Sequence, residues 1–323
     1  MRRHALALAA LSLAACRSSS RDGAGSRGVS DVQHAQTITP RPAPPAPPPP
    51  PAPAVRALSL RERFDRAVPA WEGAVAEHVR RVLAAGARAG NRVDVFSKIG
   101  DSITESGSFG LDLGHGWYEL GEFTDMEPVI RRFARRALSR DAEDNSFTHP
   151  SAAATAGWTA SQLIEGGDRS PVERELRATR PAWAFVMIGT NDVERTELDA
   201  FERDLRELLR RIEAHGTVAI VSTIPEHRGS PEFTARSAQV DARIRAVASE
   251  LALPLVDYRM VMSPLRNAGI SDDNVHPSVF VDNGDTRAAV FTEAGLAAGY
   301  NTRNLLLLFA LRRAMQFASP ASG

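Results

Sequence analysis

The chain has 323 residues, and its 39 Lys and Arg balance 39 Asp and Glu, so its formal net charge is zero. This balance offers no electrostatic attraction for nucleic acid or an anionic membrane surface, and we expect neither as a direct partner. Hydrophobic residues make up 43% of the chain, which excludes global disorder. A single cysteine excludes an intramolecular disulfide and any Cys-cluster zinc or iron–sulfur site.

The N-terminal residues have the pattern of a secretory signal peptide. Two arginines precede an uninterrupted run of Ala, Leu and one Ser from Ala5 to Ala15. This run is about half as long as a bilayer span requires. It ends in Leu13-Ala14-Ala15-Cys16, which resembles the lipobox of bacterial lipoprotein signals. The resemblance implies a signal peptide over residues 1–15 and lipidation of Cys16; a plain signal peptide cleaved nearby, with Cys16 incidental, is the alternative.

An arginine follows the cysteine, which in Gram-negative lipoproteins implies sorting to the outer membrane. We therefore expect a lipid-anchored protein of the cell envelope, at the outer membrane or periplasmic face if the source is Gram-negative. Its contact with the membrane is expected to come from the lipid on Cys16, since the neutral chain has no excess of basic residues.

Residues 16–54 have the composition of a tether. Ten of the fifteen residues from Pro40 to Ala54 are proline. A segment of this kind cannot bury a core, and it favours a semi-rigid polyproline II spacer. We expect it to hold a folded domain away from a membrane.

From residue 55 to residue 323, hydrophobic periodicity predicts one folded domain. The first helical pattern spans Leu60 to Ala89, and Pro69 marks a break within it. The elements that follow are strands over 93–100, 183–189, 218–225 and 253–258, helices over 197–214 and 233–251, and a mostly helical segment over 288–317. This alternation of strands and helices predicts an α/β fold with a parallel sheet covered on both faces. Ligands of such sheets bind at the carboxyl ends of the strands.

Polar motifs stand at the ends of these elements. Gly100-Asp101-Ser102-Ile103-Thr104 ends the first strand, Gly189-Thr190-Asn191-Asp192 ends the second, and Asp273-Asn274-Val275-His276-Pro277 lies near the C-terminus. Gly157 lies between the first two motifs. Each motif alone is explained by helix capping or a polar turn. Their order and their placement at strand ends within one chain point to a functional site more specifically than any single motif does.

In these four blocks the sequence resembles the SGNH/GDSL-type hydrolases, with Ser102, Gly157, Asn191 and His276 in the family's order. The resemblance covers about residues 93–311. It implies a flavodoxin-like three-layer α/β/α sandwich with a central parallel sheet and the activity of a serine esterase. Hydrolysis of a carboxylic ester through an acyl-enzyme is the expected reaction, with carbohydrate O-acetyl esters and lipid esters both open as substrates.

The resemblance also implies a role for each residue. Ser102 is the expected nucleophile, because a serine hydroxyl attacks once a base takes its proton. His276 is the expected base, and Asp273 fixes its tautomer and stabilises the imidazolium. The expected oxyanion donors are the backbone N–H groups of Ser102 and Gly157 and the side-chain amide of Asn191.

The other titratable residues suggest no cofactor or metal site. No remaining histidine has metal-ligand spacing with a second histidine or carboxylate, and His78 and His215 fit solvent-facing helix positions. The aromatic residues between Thr104 and Gly157 could cover the substrate site or pack into the core.

Two functional hypotheses remain open at this stage. The first is a lipid-anchored esterase, and the second is a non-catalytic envelope-binding module that retains the fold. An α/β-hydrolase is disfavoured because no G-x-S-x-G nucleophile motif occurs.

Overall fold

The structure is a computed structural model that describes residues 58–318. The expected signal peptide over residues 1–15, the lipidated Cys16 and the proline-rich tether to residue 54 lie outside the described residues, as do the ends of the expected domain at 55–57 and 319–323.

A parallel sheet forms the centre of the fold. Its strands are β1 (Arg92–Gly100), β2 (Pro181–Met187), β3 (Val218–Ser222) and β4 (Leu255–Val256), and they pair side by side in that order. Every residue of β2 and β3 is buried, which explains their near-continuous apolar sequences. A separate antiparallel hairpin joins β5 (Val281–Asp282) to β6 (Asp285–Thr286).

The free edge of β1 pairs with a short extended segment at residues 153–155. Gly100 forms a parallel bridge with Ala154, and the Gly100 N–H donates to the Ala153 carbonyl at 2.9 Å. The chain thus leaves β1 on one side towards this segment and returns on the other side as β2. The carboxyl end of β1 is therefore a topological switch point, the place where open α/β sheets bind ligands.

Helices cover this sheet. They are α1 (Leu60–Ala67), α2 (Gly73–Ala89), α3 (Ser102–Glu105), α4 (Leu111–His115), α5 (Glu127–Ala134), α6 (Ala160–Ile164), α7 (Pro171–Thr179), α8 (Asp192–Arg195), α9 (Leu198–Ala214), α10 (Pro231–Glu250), α11 (Tyr258–Met262) and α12 (Gly299–Ala318). Short 3₁₀ turns occupy Thr124–Met126, Gly167–Arg169, Arg266–Gly269 and Gly295–Ala297.

The two faces of the sheet meet different helices, since alternate strand residues point to opposite sides. On one face the Ser97 hydroxyl donates to Glu175 of α7 at 2.8 Å. On the other face Phe96 packs edge-on against Phe133 of α5, with ring centroids 5.7 Å apart. The sequence prediction of an α/β/α sandwich around a parallel sheet is therefore confirmed.

Local sequence signals explain where the longer helices begin and end. Ser59 and Glu62 form a capping box at the start of α1, and the Ser230 hydroxyl caps α10 ahead of Pro231. Gly90 ends α2 in the left-handed conformation at φ 80°. The break expected at Pro69 falls between α1 and α2.

The segment 288–317 is mostly helical, as predicted, with the 3₁₀ turn Gly295–Ala297 ahead of α12. Two expectations need correction. The expected strand over 253–258 reduces to the two residues of β4. His78 is 5% exposed and contacts Glu213, so it is not solvent-facing. The leucines from Leu305 to Leu308 are fully buried, as expected for a core-packing helix.

No helix among residues 58–318 is long and apolar enough to cross a membrane.

Candidate active site

The turn after β1 places Ser102 at the first position of α3. Gly100 is required just before it, because a Cβ there would overlap the Met187 carbonyl oxygen and the Thr104 hydroxyl. Asp101 caps α3, with its Oδ1 accepting the N–H of Ile103 at 3.0 Å. Ser102 is half-buried and stands at the switch point of the sheet.

His276 lies against this serine. Its Nε2 is 2.8 Å from the Ser102 Oγ, although the two residues are 174 positions apart in the chain. His276 is 40% exposed at its side chain, so the site is open to water. This geometry suits a base that takes a proton from the serine hydroxyl.

Asp273 holds the other side of the imidazole ring. Its Oδ2 is 2.7 Å from His276 Nδ1, and its Oδ1 accepts from the N–H groups of Val275 and His276 and from the Ser271 hydroxyl, at 2.8–2.9 Å. Burial alone would raise the pKa of Asp273, but these donors outweigh burial and lower the pKa to about 2. The carboxylate therefore stays ionised across the neutral pH range and can accept a hydrogen bond from the Nδ1–H of His276.

Two of the three expected oxyanion donors, Gly157 and Asn191, lie on adjacent segments. Gly157 has a φ of +79°, a conformation that favours glycine. Asn191, which precedes α8, donates from Nδ2 to the Trp158 carbonyl at 3.0 Å and so ties its segment to the one that carries Gly157. The Asn191 amide has two N–H donors, and this hydrogen bond uses only one of them.

Two buried carboxyl groups stand behind the site. Burial raises the pKa of Asp101 to about 6 and that of Asp192 to about 6. The Arg303 guanidinium is also buried; it donates to the Ile103 carbonyl and the Thr104 hydroxyl and lies 3.6 Å from the centroid of the Phe109 ring. Burial lowers the pKa of this guanidinium, and the negative charge of Asp101 opposes the shift.

A cavity of about 390 Å³ adjoins Ser102 and His276. The other residues that line it are Ser106, Ser108, Ser271, Pro277, Val279 and Tyr300. Ser271 and Val279 also line a larger, open cleft of about 1020 Å³. Of the aromatic residues considered as a cover, Phe109 and Phe123 are instead buried in the core and Trp117 is 58% exposed.

The structure thus brings Ser102, His276 and Asp273 into one chain of contacts and sets Gly157 and Asn191 beside each other. Sequence reasoning missed Ser271, whose hydroxyl donates to Asp273 from two residues away. It also left the sole lysine of the chain, Lys98, without a structural role; this amine is buried and donates to the Phe147 carbonyl at 2.7 Å, and burial lowers its pKa to about 8. Among residues 58–318, no group of three His, Cys, Asp or Glu side chains is placed to hold a metal ion.

Comparisons with solved structures show similarities of low identity. A GDSL-like lipase from Bacteroides thetaiotaomicron is 16% identical, over 73% of this chain and 98% of that chain, with a TM-score of 0.42. An acetylxylan esterase from Geobacillus stearothermophilus is 18% identical, over 67% of this chain and 93% of that chain, with a TM-score of 0.44. None of the curated proteins compared with the chain matches it.

The model of the GDSL-like Lipase/Acylhydrolase family matches residues 99–279, more than half of the chain. The match begins at the end of β1, before the Ser102 turn, and ends three residues after His276. It therefore spans all the residues brought together above. The chain belongs to the GDSL-like lipase/acylhydrolase family and is a hydrolase of ester bonds.

Proposed function

We propose that the chain is a serine esterase that works through an acyl-enzyme on Ser102. The observation that carries the proposal is the contact chain from Ser102 Oγ to His276 Nε2 at 2.8 Å and from His276 Nδ1 to Asp273 Oδ2 at 2.7 Å. It joins a nucleophile, a base and a group that orients the base.

In the first half-reaction Ser102 Oγ attacks the ester carbonyl carbon while its proton passes to His276 Nε2. The resulting oxyanion accepts hydrogen bonds from the N–H groups of Ser102 and Gly157 and from the Asn191 amide. His276 then gives the proton to the departing alcohol oxygen. In the second half-reaction His276 takes a proton from water, the hydroxide attacks the acyl group, and Ser102 Oγ leaves with the proton returned.

The cavity beside His276 is the proposed site of the alcohol half of the ester. The leaving oxygen must lie near His276 Nε2 to receive its proton, and this histidine lines the cavity. Five of the eight residues that line it carry a hydroxyl group, and only Pro277 and Val279 are apolar. Such walls favour an alcohol rich in hydroxyl groups over a lipid chain. We therefore propose a carbohydrate O-acyl ester as the substrate class.

The catalytic assignment is tested by hydrolysis of p-nitrophenyl acetate. We expect Ser102→Ala to abolish turnover and Ser108→Ala to retain it, since Ser108 lines the same cavity without contacting His276. Equal rates for the Ser102→Ala variant and the wild type would contradict the assignment. The substrate class is tested by comparing acetylated glucose with a long-chain p-nitrophenyl ester. A higher kcat/KM for the long-chain ester would contradict the carbohydrate proposal.

We propose a location in the cell envelope on the sequence pattern alone. In this proposal residues 1–15 direct export, Cys16 carries the lipid and residues 16–54 tether the domain. A palmitate analogue fed to an expressing bacterium should label the wild-type chain and not a Cys16→Ser variant. Equal absence of label from both would contradict lipidation.

A further inference from the structure

Two side-chain hydrogen bonds flank the Ala156–Gly157 peptide, one on each side of it. Glu105 lies on the same short helix as Ser102, and its Oε2 accepts a hydrogen bond of 2.7 Å from the Ala156 N–H. Arg195, at the end of the helix that follows Asn191, donates to the Gly157 carbonyl at 2.9 Å. The N–H expected to bind the oxyanion belongs to Gly157, between these two contacts.

Packing does not fix this peptide. A Cβ built on Gly157 would have Arg195 Nη1 as its nearest neighbour, at 3.8 Å, and Ala156 is exposed. Glycine has wide conformational freedom, so its peptide N–H can rotate away from the site unless hydrogen bonds hold it. The Trp158 N–H donates to the Thr155 carbonyl at 3.3 Å and closes a turn around this peptide, but such a turn does not by itself fix which way the central peptide faces. The segment is further tied at Thr155 N to the Gly100 carbonyl and at the Trp158 carbonyl to Asn191.

We propose that Glu105 and Arg195 are positioning residues that hold the Gly157 N–H towards the reacting carbonyl. The proposal rests on the proposed function, because it assigns these residues to the oxyanion site of that reaction. Glu105 links the nucleophile helix to the glycine segment, and Arg195 links the same segment to the Asn191 helix. The three expected donors are thereby fixed relative to one another.

Two variants of Glu105 can separate the effect of its hydrogen bond from the effect of its negative charge. A carboxylate near a developing oxyanion opposes its formation, so removing the charge alone should raise activity. Removing the hydrogen-bond acceptor should lower activity if the carboxylate holds the peptide. Glu105→Gln removes only the charge and keeps an acceptor oxygen, whereas Glu105→Leu removes both. The two variants therefore move activity in opposite directions if the proposal holds.

The test measures kcat and KM for p-nitrophenyl acetate, and the melting temperature, with the full chain. We expect Glu105→Leu and Arg195→Met each to lower kcat about tenfold with KM within about twofold. The kcat of the double variant should fall by a factor of no more than roughly 10²–10³, which is the usual effect of losing one oxyanion donor. The kcat of Glu105→Gln should exceed that of the wild type. Arg174→Met is the matched control, because exposed Arg174 also donates to a backbone carbonyl, that of Arg169, at 2.9 Å, and it should leave kcat unchanged.

Equal activity of Glu105→Leu and Glu105→Gln would overturn the proposal, as would losses confined to KM or a drop in kcat that Arg174→Met reproduces. These outcomes are distinct from failure of the proposed function. If Ser102→Ala keeps its activity, the catalytic assignment itself is wrong. If Ser102→Ala is inactive while both positioning variants have wild-type kcat, only the positioning role is wrong.

Discussion

Replacing Asp273 with asparagine tests whether the carboxylate sets the tautomer of His276. Three donors converge on Asp273 Oδ1: the N–H groups of Val275 and His276 and the Ser271 hydroxyl. In the Asp273→Asn variant they should select the amide oxygen for this position. The amide NH₂ then faces His276 Nδ1, where the wild-type carboxylate accepts at 2.7 Å. Nδ1 must accept instead of donating, so the ring proton moves to Nε2.

A histidine with its proton on Nε2 cannot take the proton of Ser102. Triads altered in this way lose about 10⁴ in kcat, which corresponds to about 5.5 kcal/mol at about 1.4 kcal/mol for each factor of ten. Stability should change little, because the three hydrogen bonds to Oδ1 are retained. We therefore expect a folded variant with almost no turnover.

The assay is steady-state hydrolysis of p-nitrophenyl acetate, with the melting temperature recorded for each variant. Asp272→Asn is the matched control, since this neighbouring carboxylate is exposed and does not contact His276. Its kcat should stay within about twofold of the wild type. An Asp273→Asn enzyme within tenfold of the wild type would refute the tautomer argument, and so would an equal loss in the control.

Three further predictions follow from other parts of the site. Asn191→Ala should lower kcat by roughly 10²–10³ with little change in KM, because it removes one of the proposed oxyanion donors, and a change confined to KM would contradict that role. Asp101 has a pKa of about 6 in the fold against 3.8 normally, so the native state binds its proton more tightly and wild-type stability falls as pH rises from about 4 to about 6. Asp101→Asn should therefore gain about 2 kcal/mol relative to the wild type between pH 4 and pH 7.5 in urea unfolding, and a pH-independent difference would contradict the shift. Gly100→Ala should reduce unfolding free energy by about 1–3 kcal/mol, whereas Gly107→Ala, where a Cβ would meet only a Leu111 methyl group at 3.8 Å, should be nearly neutral in the same assay.

The sequence predicted the central strands and α9 closely because their signals are local. A continuous apolar run marked β2, and hydrophobic residues at helical spacing marked α9 from Leu198 to Ala214. The polar motifs after β1 and β2 could be placed at one edge of the sheet, since parallel strands end together.

Other features depend on contacts that one segment cannot reveal. Within the segment 288–317, predicted to be mostly helical, residues 288–291 are apolar but not helical, because Glu119 pairs with them: its N–H donates to the Ala289 carbonyl and its carbonyl accepts from Phe291. The α-helix of this segment begins at Gly299. His78 is buried because Glu213, 135 residues away, contacts its ring.

The roles proposed for Glu105 and Arg195 were invisible for the same reason. Each looks like an ordinary charged residue on a short helix, and the partner of each lies in a segment 38 or 51 residues away. The contact of Asp273 with His276 was predictable because their three-residue spacing lies within a single turn. Sequence spacing therefore pointed to the proposed reacting groups better than to the groups proposed to hold them.

The central claim is that Ser102 forms a covalent bond during turnover. A fluorophosphonate probe reacts with activated serine nucleophiles, and peptide mass spectrometry locates the attached group. We predict a single labelled peptide containing Ser102, no labelling of Ser102→Ala, and strongly slowed labelling of His276→Ala. Labelling that persists in Ser102→Ala, or a wild-type chain that is folded and hydrolyses esters without labelling at Ser102, would contradict the account.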